Sequence, residues 1–262
     1  MPDFSENILL IQGLASDPKS ELTDIARHIS TDPAMTADIL KIVNSVHYIM
    51  SKRVDNISEA VRILGIKGIK NLLYSYGTQQ ILGDDTQEKK NLWDHCYRCA
   101  FYAYNLVKNF SPEKTIIDDA YVGGILHDMG KIVFDNTHPD LANKMKSFCT
   151  DKNIPDVTFE DVCSGVNHAE IGGLIAEKWN FPENLVAAIR YHHDPCNAAI
   201  KDFSLLVKTV YLANMLCEIE SGNAVSEQLE ASVLADFGIT SNKQIVKIIS
   251  LFSEGFQKEA KH

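Results

Sequence analysis

The run GGILHDMGKIV sets His127 beside Asp128, and His95, His168, His192 and His193 recur on or beside stretches with helical patterning. Five imidazoles and a carboxylate make a metal-ligand set. A neutral imidazole offers one ring nitrogen, and an ionised carboxylate offers hard oxygen. A cluster of both suits iron, zinc, manganese or nickel better than calcium or magnesium. Adjacent residues on a helix diverge by about 100°. His127 and Asp128 can therefore share an ion only where the backbone opens at a helix end, which implies a site lodged among several helices. The other four histidines, His28, His47, His138 and His262, read as surface or satisfied core residues.

The elements that would bring these ligands together all carry helical signals. Residues 91–109 read as one long helix bearing His95. Asp118 or Asp119 is expected to cap a short helix, DAYVGGILHDMG, ending near Gly130. His168 opens HAEIGGLIAEKWNF, where Ala169, Gly172 and Gly173 permit close helix approach. Pro182 then starts NLVAAIRYHH, which delivers His192 and His193 at its C-terminal end. At that end the helix dipole favours protonated over neutral imidazole, and metal binding or burial must overturn this preference.

Upstream, Leu22, Ile25, Ala26 and Ile29 form an apolar stripe. In DPAMTADILKIVNS, Asp32 is the expected N-cap, Pro33 the first helical residue, and Met35, Ile39, Leu40 and Val43 the inner face. Ile57 to Leu64 repeats the pattern and is expected to stop at Gly65 in a left-handed cap. Apolar periodicity fades through TQQILGDDTQEKKNL, so a boundary is placed near residues 83–90, separating an N-terminal helical subdomain (1–85) from the ligand-bearing core (86–262). No strand alternation, internal repeat or low-complexity tract interrupts this all-α, multi-helix reading.

Composition narrows the function classes. The chain has 262 residues, 45% of them hydrophobic, enough for one large or two small cores. No apolar run approaches the roughly 20 residues of a bilayer span, and MPDFSENILLIQ carries acids where a signal peptide carries bases, so a cytoplasmic protein without membrane contact is expected. Six scattered cysteines fit reduced thiols. The CxxC of Cys96 and Cys99 lies within a helix and reads as core packing rather than a zinc or redox pair. Asp and Glu outnumber Lys and Arg by 35 to 25, a balance that disfavours nucleic acid as the main partner. The local exception, Lys52, Arg53, Arg62, Lys67 and Lys70 around two short helices joined at Gly65, is a loose echo of helix-turn-helix spacing and reads more simply as a solvated basic face.

Taken in order, these segments resemble an HDOD protein over about residues 5–255. TDPAMTADILKIVNSVHY, leading to Asn44 and Ser45, and ISEAVRILGIKGIKNL are similar to the family's N-terminal helical region. LWDHCYRCA, GGILHDMGKIV, NHAEIGGLIAEKWNFPENLVAAIRYHHDP and VYLANML follow in the order of the HD-type metal-dependent phosphohydrolase core. The resemblance implies a helical bundle packed on an HD-type core. It implies one metal at His95, His127, Asp128 and the position of Asn214, and a second held by His168, His192 and His193 with Asp128 bridging. Iron is the first choice, with manganese, zinc or nickel as alternatives. Asp128 and Lys131 would be the catalytic pair of an active enzyme, Lys131 lying near substrate phosphate.

Two departures bear on activity. Asn214 stands where the resemblance implies an aspartate, and an amide oxygen is a weaker, neutral ligand. It either weakens the first metal, hydrogen-bonds a ligand from outside, or is a core asparagine. HHDPCNAAIKDF also lacks a DGSGYP-like loop, which argues against a cyclic di-GMP phosphodiesterase of that class. The leading expectation is a regulatory, signal-transducing protein of bacterial type that retains a metal site and acts on a signalling protein partner or a small phosphorylated ligand, as a monomer or a homodimer. The alternatives are a phosphohydrolase, whose ions lower the pKa of bound water and hold a phosphoryl oxygen of a nucleotide or other phosphoester, and a nucleic-acid-binding regulator.

Overall fold

A computed structural model describes residues 4–43, 54–83, 85–152 and 154–259. Asn44, Ser45, His47, Lys52, Arg53 and His262 lie outside the described residues. The described chain is helical throughout, with short 3-10 turns and no strand. It divides into two compact units, Met1–Gly83 joined by Glu259–His262, and Asp84–Lys258.

In the first unit, α1 (Glu6–Ser16), α2 (Leu22–Ile29) and α3 (Pro33–Val43) pack against α4 (Ile57–Leu82). Ile25, Ala26 and Ile29 of α2 are buried, as are Met35, Ile39 and Val43 of α3, so the apolar stripes face the core as their spacing requires. The Met35 backbone N–H donates to Asp32 Oδ1 at 3.0 Å, which makes Asp32 the cap of α3. At Gly65 the first helical stretch stops as expected, in a kink rather than a left-handed cap. Its φ of 64° and ψ of 179° lie outside the left-handed helical region, and helix resumes directly to Leu82. Only glycine takes such backbone readily. Arg62 thus lies on the helical stretch before Gly65, and Lys67 and Lys70 on the one after it, two helices joined at Gly65 as expected.

The second unit contains α5 (Gln87–Phe110), α6 (Ile117–Leu126), α7 (Met129–Thr137), α8 (Pro139–Lys152), α9 (Asp156–Ser164), α10 (His168–Lys178), α11 (Glu183–Arg190), α12 (Ser204–Glu220), α13 (Ala231–Asp236) and α14 (Asn242–Glu259). Its core runs from Cys99, Tyr102 and Leu106 of α5 through Val210, Leu212 and Leu216 of α12 to Ile245, Ile248 and Phe252 of α14. Cys96 and Cys99 are buried free thiols, and burial raises both well above the usual thiol range, as core packing requires. No described helix is long and apolar enough to cross a membrane.

Three expected helix boundaries are corrected. The N-cap of α6 is Ile116, and Asp118 and Asp119 fall in the first turn, where acids also complement the helix dipole. DAYVGGILHDMG is not one helix: α6 ends at Leu126, His127 is its C-cap, and Asp128 is the N-cap of α7. Likewise α11 ends at Arg190, so His192 and His193 sit in the turn beyond it.

Glycines permit the contacts that converge on this junction. A Cβ on Gly124 would lie 2.5 Å from the Ala100 Cα, so α6 can lie directly on α5 only without one. A Cβ on Gly130 would run into the His168 carbonyl oxygen, so α7 can meet the start of α10 only with glycine there.

Candidate metal centre

The centre is built around Asp128, which is fully buried at the α6–α7 break. Its two carboxylate oxygens face two sets of side chains. Oδ2 lies 3.4 Å from His127 Nε2 and 3.7 Å from His95 Nε2. Oδ1 lies 3.2 Å from His168 Nε2 and 3.6 Å from His192 Nε2. His193 joins the second set, with its Nε2 3.0 Å from that of His168. Asn214, on α12, joins the first, with its Oδ1 3.1 Å from His95 Nε2. All seven ligand positions expected from sequence therefore come together. Lys131 joins them, placing Nζ 2.9 Å from Asp128 Oδ2.

The imidazoles are aimed by their outer nitrogens. His127 Nδ1 is 2.8 Å from the Gly124 carbonyl oxygen, and His192 Nδ1 is 2.7 Å from that of Ile189. His168 Nδ1 is 2.6 Å from Glu160 Oε2. Each acceptor holds the proton on Nδ1 and leaves Nε2 as a lone-pair donor toward the centre, the arrangement common among metal-binding histidines. Nε2 of His127 and of His192 is buried with no hydrogen-bond partner. The Asp128 oxygens are buried without a well-aligned hydrogen bond, their neighbours being imidazole nitrogens and the Lys131 ammonium. Buried polar atoms are ordinarily satisfied, so this convergence of orphaned donors on one point fits a cation.

Electrostatics keeps most of the donors in ligating form. Burial lowers His95 and His192 to about 4, and holds His193 well below the ordinary histidine value. His168 moves the other way. Burial would lower it, but its bonds to Asp128 and Glu160 prevail and raise it. Burial would raise Asp128, yet His127 and Lys131 outweigh that effect and hold it well below the usual carboxylate range. Lys131 is correspondingly raised, the attraction of Asp128 exceeding the cost of burial.

Two residues of the centre had no place in the sequence reading. Glu160, on α9, is fully buried, and it accepts from the His168 backbone N–H at 2.8 Å as well as from the ring. It is the buried residue of α9, whose other residues are partly or fully exposed, so no apolar stripe in the sequence marks its face as inward. Glu218, one turn beyond Asn214 on α12, places Oε1 3.7 Å from His95 Nδ1. Residues 214 and 218 share a helix face, so that relation is visible once α12 is recognised.

The comparisons with known proteins extend over nearly the whole chain. It is 36% identical over 259 residues to an uncharacterised protein of Treponema pallidum (strain Nichols), covering 99% of this chain and 50% of that protein. The chain thus spans about half the length of this curated relative. Among solved structures, a candidate phosphohydrolase from Shewanella amazonensis SB2B matches with a TM-score of 0.73 at 20% identity, covering 97% of this chain and 90% of the other. A candidate signal transduction protein from Marinobacter aquaeolei VT8 matches with a TM-score of 0.75 at 21% identity, covering 99% of this chain and 58% of the other. At those identities the likeness shows a common helical fold. The HDOD domain family model matches residues 1–195, from the first unit through His193, and ends before Asn214. On that match, the chain belongs to the HDOD domain family.

Proposed function

We propose that this protein is an HDOD signalling module whose second unit binds one or two transition-metal ions around Asp128. The division of the two Asp128 oxygens between two imidazole sets carries the reading, because a carboxylate so placed can serve two ions at once. Iron is the first choice, with manganese, zinc and nickel as alternatives on the same donor chemistry.

Burial favours a structural or sensory ion over turnover. His127, Asp128, His168 and His192 are fully buried, and the accessible edge includes the His95 and Lys131 side chains, 20% and 22% exposed, and the partly buried His193. An ion bound there ties α5 to the α6–α7 break, to α10 and to the turn after α11. A site that links helices so widely can convert metal occupancy or redox state into a change at the surface read by another signalling protein.

Lys131 supports a second reading, a metal-dependent phosphohydrolase acting on a nucleotide or other phosphoester. Its cation stands at the accessible edge and can offset negative charge on a phosphoryl group. Bound ions would supply Lewis acidity and an activated water. The residues of this chain would supply the rest: Asp128 holding its charge, His95, His192 and His193 remaining neutral, and Lys131 orienting the anion. The common fold does not choose between the readings, because function resides in the site.

Elemental analysis of protein purified without added metal or chelator tests the shared claim. Near-stoichiometric transition metal is expected in the wild type and not in His127→Ala. Equal metal content in the two would overturn it. Hydrolysis of bis-p-nitrophenyl phosphate by the loaded wild type, lost in Lys131→Met, would move the assignment to the second reading.

A further inference from the structure

Of the four histidines aimed at Asp128, three have Nδ1 paired with an oxygen on the outside of the centre: His127 with Gly124, His192 with Ile189 and His168 with Glu160. The fourth, His95, faces Glu218 from Nδ1, at 3.7 Å. We infer that Glu218 is the outer carboxylate of the Oδ2-side metal position, holding the His95 proton on Nδ1 and leaving Nε2 free for the ion. The inference rests on the proposed metal reading and assigns a positioning residue within it.

The need for such a group is local. On the Oδ2 side the ring nitrogens of His95 and His127 meet a shared carboxylate and the neutral amide of Asn214. With the Lys131 cation also near Oδ2, this side has less negative charge per ion than its donor count suggests. His95 Nε2 lies 3.1 Å from Asn214 Oδ1, a contact that requires the proton on Nε2. An ion at Nε2 requires the other tautomer. A carboxylate facing Nδ1 stabilises that tautomer and returns negative charge to the position, one helical turn away from Asn214. On the Oδ1 side the same task falls to Glu160, which is fully buried. The Glu218 side chain is 29% exposed, so its hold on His95 is the looser of the two. Two unequal positions follow, the Oδ1 side filling first and the Oδ2 side second.

The test is a Co2+ titration of the full chain, followed by the visible absorption of the bound ion and by chelator competition. In the wild type, two cobalt ions are expected with separable affinities. Glu218→Gln, at a partly exposed position, should weaken the second ion about tenfold, leaving the first ion and the metal-free Tm unchanged. Adding Asn214→Asp to Glu218→Gln should restore the second ion, because it supplies a carboxylate directly. Cobalt binding in the wild type with both affinities unchanged in Glu218→Gln would overturn the role of Glu218 alone. Equal weakening of both ions with a lower metal-free Tm would also overturn it, by showing a general structural part. No cobalt in the wild type would overturn the metal reading itself.

Discussion

Glu160 Oε2 meets His168 twice, at the backbone N–H (2.8 Å) and at ring Nδ1 (2.6 Å). One carboxylate oxygen thus caps the start of α10 and aims the imidazole that α10 carries. Glu160→Gln should keep the shape but remove the charge, lowering metal affinity about tenfold to a hundredfold and destabilising the metal-free fold. Chelator competition and thermal melting read the two effects. Unchanged metal affinity would detach Glu160 from the centre.

Gly130 presses α7 against the first residue of α10. Because a Cβ there would run into the His168 carbonyl oxygen, Gly130→Ala must displace one helix from the other. A cost of about 1–3 kcal/mol is expected for such overpacking, together with a loss of bound metal out of proportion to the loss of fold. Denaturant titration and metal analysis on the same preparation would separate the two.

Asp128 and Lys131 form an ion pair that a bound cation would partly replace. Lys131→Met should therefore destabilise the metal-free protein by about 2 kcal/mol. It should also tighten metal binding, since a repelling charge is gone. Saturating metal should then recover much of the lost Tm. A Tm deficit that is identical with and without metal would contradict this coupling.

The metal-free protein should lose stability as pH falls from about 6.5 toward 4. His95 and His192 are held neutral by burial, each lowered to about 4, so over this window the unfolded chain binds protons that the folded chain does not. For the fully buried His192 the loss is about 3 kcal/mol. His168, which is raised, acts in the opposite sense, contributing stability below the unfolded histidine pKa that is lost as pH rises through its higher folded value. His192→Gln should flatten the acid limb of a Tm-versus-pH curve, and an unaltered limb would refute the assignment.

The histidines were legible because each sits at a helix end or on an apolar-flanked helix, where an imidazole has chemistry to do. The HD pair was legible in its geometry too, since two adjacent ligands require the backbone to open, and it does so between Leu126 and Met129. The acids Asp118 and Asp119 misled because an acid in a first turn and an acid at a cap carry the same local signal. Gly65 was legible as the break between two helices, but not its conformation, because a glycine in a left-handed cap and one in an extended kink look alike in sequence. Glu160 and Glu218 were missed for a different reason. Their partners, His168 and His95, lie on other helices, and only tertiary packing brings them together.

The central claim is that Asp128 stands between two metal positions. Anomalous diffraction from crystals of the metal-loaded protein, recorded at the absorption edge of the bound element, tests it most directly. Two peaks are expected, each about 2.0–2.2 Å from a different Asp128 oxygen, one flanked by His95 and His127, the other by His168 and His192. No peak at Asp128 in crystals of protein that contains metal, or a peak bound only by residues elsewhere, would contradict the account.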